Sequence, residues 1–168
     1  LYAINTDNGE EVWKISGMFR IPAVADGLLT ATNSYDGKIY TFGKGPSATT
    51  VSAPQTAVPK GSAVMITGSV TDQSPGQKGT PAISDEDMSA WMEYLHMQKP
   101  KPENAKGVPV KLTAIGSNGD TEQIGMVTSD MYGNFGKSWT PPAEVDYQIV
   151  ATFEGTESYG SSSASTYL

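Results

Sequence analysis

A mostly β chain, built around an antiparallel β-sandwich with one helical insertion, is the fold class this sequence predicts, and three observations predict it. Val108, Val110, Leu112 and Ala114 alternate with Pro109, Lys111, Thr113 and Ile115, the period-two rhythm of a strand with one apolar face. Phe135 and Trp139, and then Tyr147, Ile149, Ala151 and Phe153, repeat that rhythm. Turn residues separate the runs: Asn118-Gly119 reverses the first into Gln123 to Thr128, and Pro141-Pro142 makes a corner before the last. Strands of this kind, punctuated roughly every 8–12 residues, build a core from the inner faces of two sheets.

Composition bounds what such a module can do. With 38% hydrophobic residues in 168, one core is filled comfortably and two would be thin. Charged residues make up 17%, below the roughly 25% of an average soluble protein, so the polar faces are Ser and Thr rather than Lys and Glu, as suits an exported β-rich surface. A formal charge of −7 gives phosphate backbones nothing to bind, so nucleic acid is not an expected partner. The absence of cysteine removes disulfides, thiolate nucleophiles and zinc-thiolate sites, a pattern that fits an exported prokaryotic protein held together by packing. No run approaches the roughly 18 apolar residues of a membrane span, so no direct membrane insertion is expected, and no signal peptide opens the chain.

Taken in order, residues 1–45 carry short strands on a regular beat. Leu1 to Ile4 reads as a strand end, Asn8-Gly9 as a turn, Glu11 to Ile15 as the next strand, and Ala25-Asp26-Gly27 and Tyr35-Asp36-Gly37 as turns before Lys38 to Phe42. Residues Ala3 to Trp13 resemble the tryptophan-docking motif of PQQ-like β-propellers: alanine, an acid-type position two residues on, Gly9, and Trp13 four residues after it. Asn5 stands where that motif usually has Asp, and Asn8 where it has Thr. Pro22 to Gly27 and Asp36 to Tyr40 are similar to the same repeat. The resemblance, to prokaryotic and archaeal-type surface proteins of this repeat, implies a partial propeller blade in which Gly9 permits a turn and Trp13 packs between blades. A blade cannot bury both faces alone, and closed propellers need about four to eight, so the remaining blades of a parent protein are the implied partner. No quinone-binding residue is implied within this chain.

Residues 46–60, rich in Ser, Thr and Pro, read either as a linker or as the first sandwich strand. Ser62 to Thr71 then alternates, with Val64, Ile66 and Val70 on one face. The stretch from Gly133 through Trp139, Tyr147 and Phe153 to Tyr159 resembles the Ig-like modules of prokaryotic surface proteins, so 61–168 is expected to be an Ig-like sandwich with Trp139 and Tyr147 as structural positions. Those modules usually read Gly-x-Tyr before the penultimate strand, and Asp146 replaces that glycine here. Lys137 falls on the inward parity between Phe135 and Trp139, which implies a bulge or an exposed edge.

Between Thr71 and Val108 the β rhythm stops. Ser84 followed by Asp87 supplies an N-cap and an acid three residues on, and a helix is expected over about 84–98. Met88, Trp91, Met92 and Leu95 form one apolar stripe, expected against the sandwich; Pro100 and Pro102 stop the helix. Tyr94 and Met97 widen the stripe, and with Trp91 they are the residues expected to meet a partner, since Met and Tyr are enriched where proteins associate.

Chemistry is sparse. His96 is the only histidine, so neither a histidine-based triad nor a zinc site with two imidazoles can be built. Met88, Met92 and His96 sit four apart and could face Cu(I), but methionine is more often a core gap-filler. The acids at 85–87 lack the spacing of a calcium loop. Hence no catalytic residue, metal or cofactor is expected. The expected function is a non-catalytic extracytoplasmic binding, adhesion or spacer module, at the cell surface, of a larger propeller protein, with a surface protein as alternative partner. Two rivals are the accessory C-terminal part of a quinoprotein dehydrogenase and a carbohydrate-binding module of a surface enzyme.

Overall fold

A computed structural model describes all 168 residues: twelve strands and one helix, in antiparallel sheets that do not close into a barrel. The chain forms two compact units, Leu1–Lys44 with Asp85–Glu103, and Gly45–Ser84 with Asn104–Leu168.

In the first unit β1 (Tyr2–Ile4) pairs with β2 (Glu11–Lys14), and β3 (Phe19–Ala25), β4 (Leu28–Asn33) and β5 (Ile39–Phe42) form a separate sheet in that order. Residues 1–44 thus hold two separate sheets, one of two strands and one of three. Gly9 sits at φ +75, its N–H bonded to the Asn5 carbonyl at 2.8 Å, so the Asn8-Gly9 turn is closed by a left-handed glycine. Ala25 pairs with Leu28 across Asp26 and Gly27, at φ +52 and +74, a two-residue turn whose positive angles match the twist of the hairpin. Trp13 stacks on Phe42 with centroids 5.4 Å apart, and Phe42 in turn meets Phe19 edge-on at 5.8 Å.

The helix α1 (Met88–Met97) begins four residues after Ser84, because residues 85–87 form turns first and Asp87 takes the N-cap position. Ser84 instead closes the neck of the insertion, donating its N–H to the Lys106 carbonyl at 2.9 Å. The helix clusters with the N-terminal strands, not with the sandwich as its apolar stripe suggested. Long-range contacts do this: Glu93 Oε1 accepts the Ser16 N–H at 2.7 Å, and the His96 carbonyl accepts from Lys38 Nζ at 3.5 Å with Tyr40 Oη 3.4 Å away. Only Trp91 of the helix is buried; Met88, Met92 and Leu95 are half-buried.

The second unit is a sandwich of seven strands in two sheets, one of three and one of four. One sheet runs β10 (Asn134–Trp139), β7 (Val64–Asp72), β6 (Ser47–Ser52); the other runs β12 (Ser162–Tyr167), β11 (Tyr147–Phe153), β8 (Pro109–Gly116), β9 (Thr121–Thr128). Residues 47–52 are therefore the first sandwich strand, paired with β7 from Ser47–Asp72 to Ser52–Thr67. The expected inward residues form the core: Val108, Val110, Leu112, Ala114, Ile149, Ala151, Phe153, Ile66 and Val70 are fully buried. Gly68 shares their parity, and the Phe135 ring lies over it where a side chain would stand.

Two details locate strain and edges. The register between β8 and β9 slips between Leu112–Gly125 and Thr113–Gln123, so the bulge lies at Ile124-Gly125 on β9. Lys137 lies on the edge strand β10 and its Nζ reaches the Met126 carbonyl at 3.4 Å, which is how an inward-parity lysine avoids the core. On the opposite side hydroxyls tie β6 to β12: Ser47 Oγ donates to the Gly160 carbonyl at 2.6 Å and lies 2.8 Å from Ser162 Oγ, while Thr49 Oγ1 is 2.7 Å from the same hydroxyl.

Candidate cleft beside the helix

The larger cleft lies within the first unit, about 350 Å³, where the turns after Ile15 and Asn33 face the C-terminal end of α1. Its position follows from unpaired backbone. The last carbonyls of a helix have no partner within it, and that of His96 accepts from Lys38 Nζ at 3.5 Å, in the turn before strand β5, while the Tyr40 hydroxyl, whose proton goes to Asp36, lies 3.4 Å from it. The lysine also places positive charge at the negative end of the helix dipole. Gln98 ends the helix in a left-handed conformation, φ +57, with its N–H bonded to the Glu93 carbonyl.

Asn33, almost fully buried, shapes the opposite wall: its Oδ1 accepts the N–H groups of Met18 at 3.1 Å and Tyr35 at 3.2 Å. Asp36 accepts from the Tyr40 hydroxyl at 2.6 Å and from the Lys38 N–H at 3.0 Å. The Tyr40 bond, with Lys38 beside it, holds the Asp36 carboxyl below its ordinary range; burial first, and the Asp36 carboxylate second, push the Tyr40 phenol up to about 12. Partial burial raises the Glu93 carboxyl, but the bond from Ser16 and the charge of Lys99 outweigh it and its net shift is downward.

These ionisable groups are matched to one another or to helix-end backbone. Asp36 with Tyr40, Lys38 with the helix terminus and Glu93 with Ser16 read as fasteners joining α1 to the strands. No group of three His, Cys, Asp or Glu side chains gathers to hold a metal. His96 stands edge-on to Tyr40, centroids 6.3 Å apart.

The residues singled out in the sequence separate. Met97 lines the cleft, Tyr94 is half-buried and tilted against Trp91 at 5.5 Å, and Trp91 itself is 3% exposed beneath Lys101, whose Nζ lies 5.9 Å from its ring. Trp91 so buried has no surface to offer a partner. Gly9 and Trp13 belong to the first unit, as described. Trp139 and Tyr147 meet edge to face at 5.0 Å inside the sandwich. Tyr147 stands at the start of β11 with its hydroxyl accepting the Ala143 N–H at 3.2 Å and donating to the Ala143 carbonyl at 3.4 Å, a tyrosine corner.

Sequence reasoning missed Asp36, Tyr40, Glu93 and Asp72. Asp72 is 1% exposed at the end of β7, and its carboxylate accepts the Ser74 N–H at 2.6 Å and the Gln77 side-chain amide, holding the loop at 73–80 closed. A signal existed for Asp72 alone: an acid at the end of an apolar strand, just before a Gly/Pro-rich loop, suits such a backbone clasp. Comparison with known proteins finds no match to this chain among protein-family models, curated proteins or solved structures.

Proposed function

We propose that this chain is a non-catalytic binding or spacer module of an extracytoplasmic surface protein, in which residues 1–44 continue a PQQ-like β-propeller and the sandwich follows it. One observation carries the reading. The N-terminal strands form sheets of two and three, each short of the four strands of a propeller blade. Tyr2, Ile4, Val12, Met18, Ile21, Val24, Leu28, Tyr35 and Ile39 are all exposed there, Val24 at 70% and Ile39 at 72%. Apolar side chains in that density mark surface awaiting a covering neighbour. Adjacent blades of one propeller are that neighbour, and the Trp13 motif supplies the docking residue.

The test uses a hydrophobic dye and amide exchange. If the reading holds, this chain binds the dye strongly, and the longer protein that contains it does not, with the β3 and β5 amides becoming protected. Equal dye binding in both would overturn the propeller assignment. Dye-linked alcohol oxidation by the longer protein supplied with pyrroloquinoline quinone and calcium would overturn the non-catalytic one.

A further inference from the structure

The outer face of the four-stranded sheet carries a second, smaller cleft, about 220 Å³, lined by Ile115, Ser117, Asp146, Tyr147, Gln148 and Tyr167. We propose that it is a binding site for a single neutral pyranose ring, a saccharide subsite built into the sandwich. The inference goes beyond the propeller reading and uses none of its residues.

Register places the parts. Tyr167 pairs with Gln148, and Gln148 with Ile115, so three side chains stand in one row on one face of adjacent strands. At roughly 4.8 Å per strand, Tyr167 and Ile115 are about 10 Å apart with Gln148 between them, a trough one sugar ring wide. Its volume lies below the roughly 300 Å³ at which drug-sized sites begin, again the scale of one ring.

The chemistry of the lining selects the ligand. Tyr167 is 63% exposed, although the other aromatics of this unit's C-terminal strands, Tyr147, Phe153 and Tyr159, are buried. An exposed tyrosine ring at the edge of a cleft offers an apolar face for the C–H groups of a pyranose and a hydroxyl for its rim. Gln148 brings both a donor and an acceptor, Asp146 two acceptors and Ser117 a hydroxyl, the mixture that vicinal sugar hydroxyls require. The side chains of Asp146, Gln148 and Tyr167 make no hydrogen bond or ion pair within the chain. No lysine, arginine or histidine lines the cleft, so phosphate and carboxylate ligands have no counter-charge there. A bare amine would use the acceptors but leave the donors of Gln148 and Ser117 idle.

The experiment titrates the full 168-residue chain, isotopically labelled, with methyl glycosides of glucose, galactose, mannose and xylose and with short β-linked oligosaccharides. At least one is expected to shift amides at 115–117, 146–148 and 167 selectively, with half-saturation on the order of 1 mM for a single ring. Tyr167→Ala and Gln148→Ala should each weaken that binding at least tenfold with an unchanged spectrum elsewhere. Asp146→Asn should retain more binding than Asp146→Ala, because the amide keeps one acceptor. Thr152→Ala, farther along the same face, should change nothing. Shifts with none of the saccharides, shifts confined to other residues, or shifts with tetramethylammonium and lysine ethyl ester but not with sugars would each overturn the proposal. The titration of the unsubstituted chain decides this even where a variant fails to fold, and it reads neither the dye binding nor the oxidation that test the propeller reading.

Discussion

Replacing Gly68 by alanine tests the inner packing of the sandwich at its tightest point. A Cβ built there falls well inside van der Waals contact of the Thr50 carbonyl and of the Phe135 Cζ, and 2.9 Å from Cε1 of the same ring. The ring can swing aside, but the carbonyl belongs to the paired strand β6 and moves only if β6 moves. Overpacking a filled core costs about 1–3 kcal/mol, and a backbone clash puts this site at the upper part of that range. The smaller conformational entropy of an unfolded alanine returns about 0.4–1 kcal/mol. The net expectation is a loss of about 2 kcal/mol, or a urea midpoint lower by roughly 1 M at an m-value near 2 kcal/mol/M. Because two units share the chain, the measurement should follow the protected amides of Ile66 and Val70 rather than total fluorescence. In a Phe135→Leu background the same substitution should cost at least about 0.5 kcal/mol less, the coupling expected of touching residues. A neutral or stabilising Gly68→Ala, or a cost identical in both backgrounds, would refute the packing described.

Other substitutions probe separate layers. Trp139→Ala should cost about 3–5 kcal/mol, as large aromatic truncations in cores do, and the emission of Trp139, 7% exposed, should be blue-shifted in the folded chain. Tyr147→Phe keeps the ring contact and removes only the corner, so about 1 kcal/mol is expected by thermal melt. Asp72→Ala frees two donors bound to a buried carboxylate and should cost about 1.5–3 kcal/mol, with faster proteolysis at 73–80. Tyr40 has its folded pKa raised to about 12 from 10.0, so its contribution is complete below pH 10 and is lost as pH rises through 12. Tyrosinate absorbance should contain a phase near pH 12 that Tyr40→Phe removes.

Legibility followed periodicity. Val108 to Ala114 and Tyr147 to Phe153 were readable because one face is wholly apolar and the other mostly polar, and each inward residue is where alternation placed it. Ser47 to Ser52 was ambiguous because hydroxyl side chains give a strand and a linker the same composition; what makes it a strand is β7 across from it and β12 beside it, neither local. The helix existed where its stripe said, yet Ser84 misplaced its start, since a capping sequence cannot tell a cap from a turn preceding one. Its docking was illegible for a plainer reason: Glu93 finds the Ser16 N–H across 77 residues, and nothing in a glutamate on the polar side of a helical stripe announces that. The cleft residues Asp36 and Tyr40 are four apart but sit on a turn and a strand, so helical spacing rules could not pair them.

The first and last strands of the sandwich run side by side in the same direction, as the parallel bridge of Gly45 with Tyr159 shows. Gly45 donates to Ser158 at 2.9 Å and accepts from Gly160 at 2.8 Å, and beyond it come the hydroxyl contacts of Ser47, Thr49 and Ser162 and the Gln55 amide on the Tyr167 carbonyl. Tension applied across the module from its first strand to its last therefore loads these bonds in shear, all at once, where a hairpin would peel open one bond at a time. Rupture under force follows the unfolding rate rather than equilibrium stability. A module with ordinary thermal stability can thus be a stiff mechanical link, and Ser47→Ala with Thr49→Ala should lower its rupture force in a single-molecule pull far more than it lowers its melting temperature.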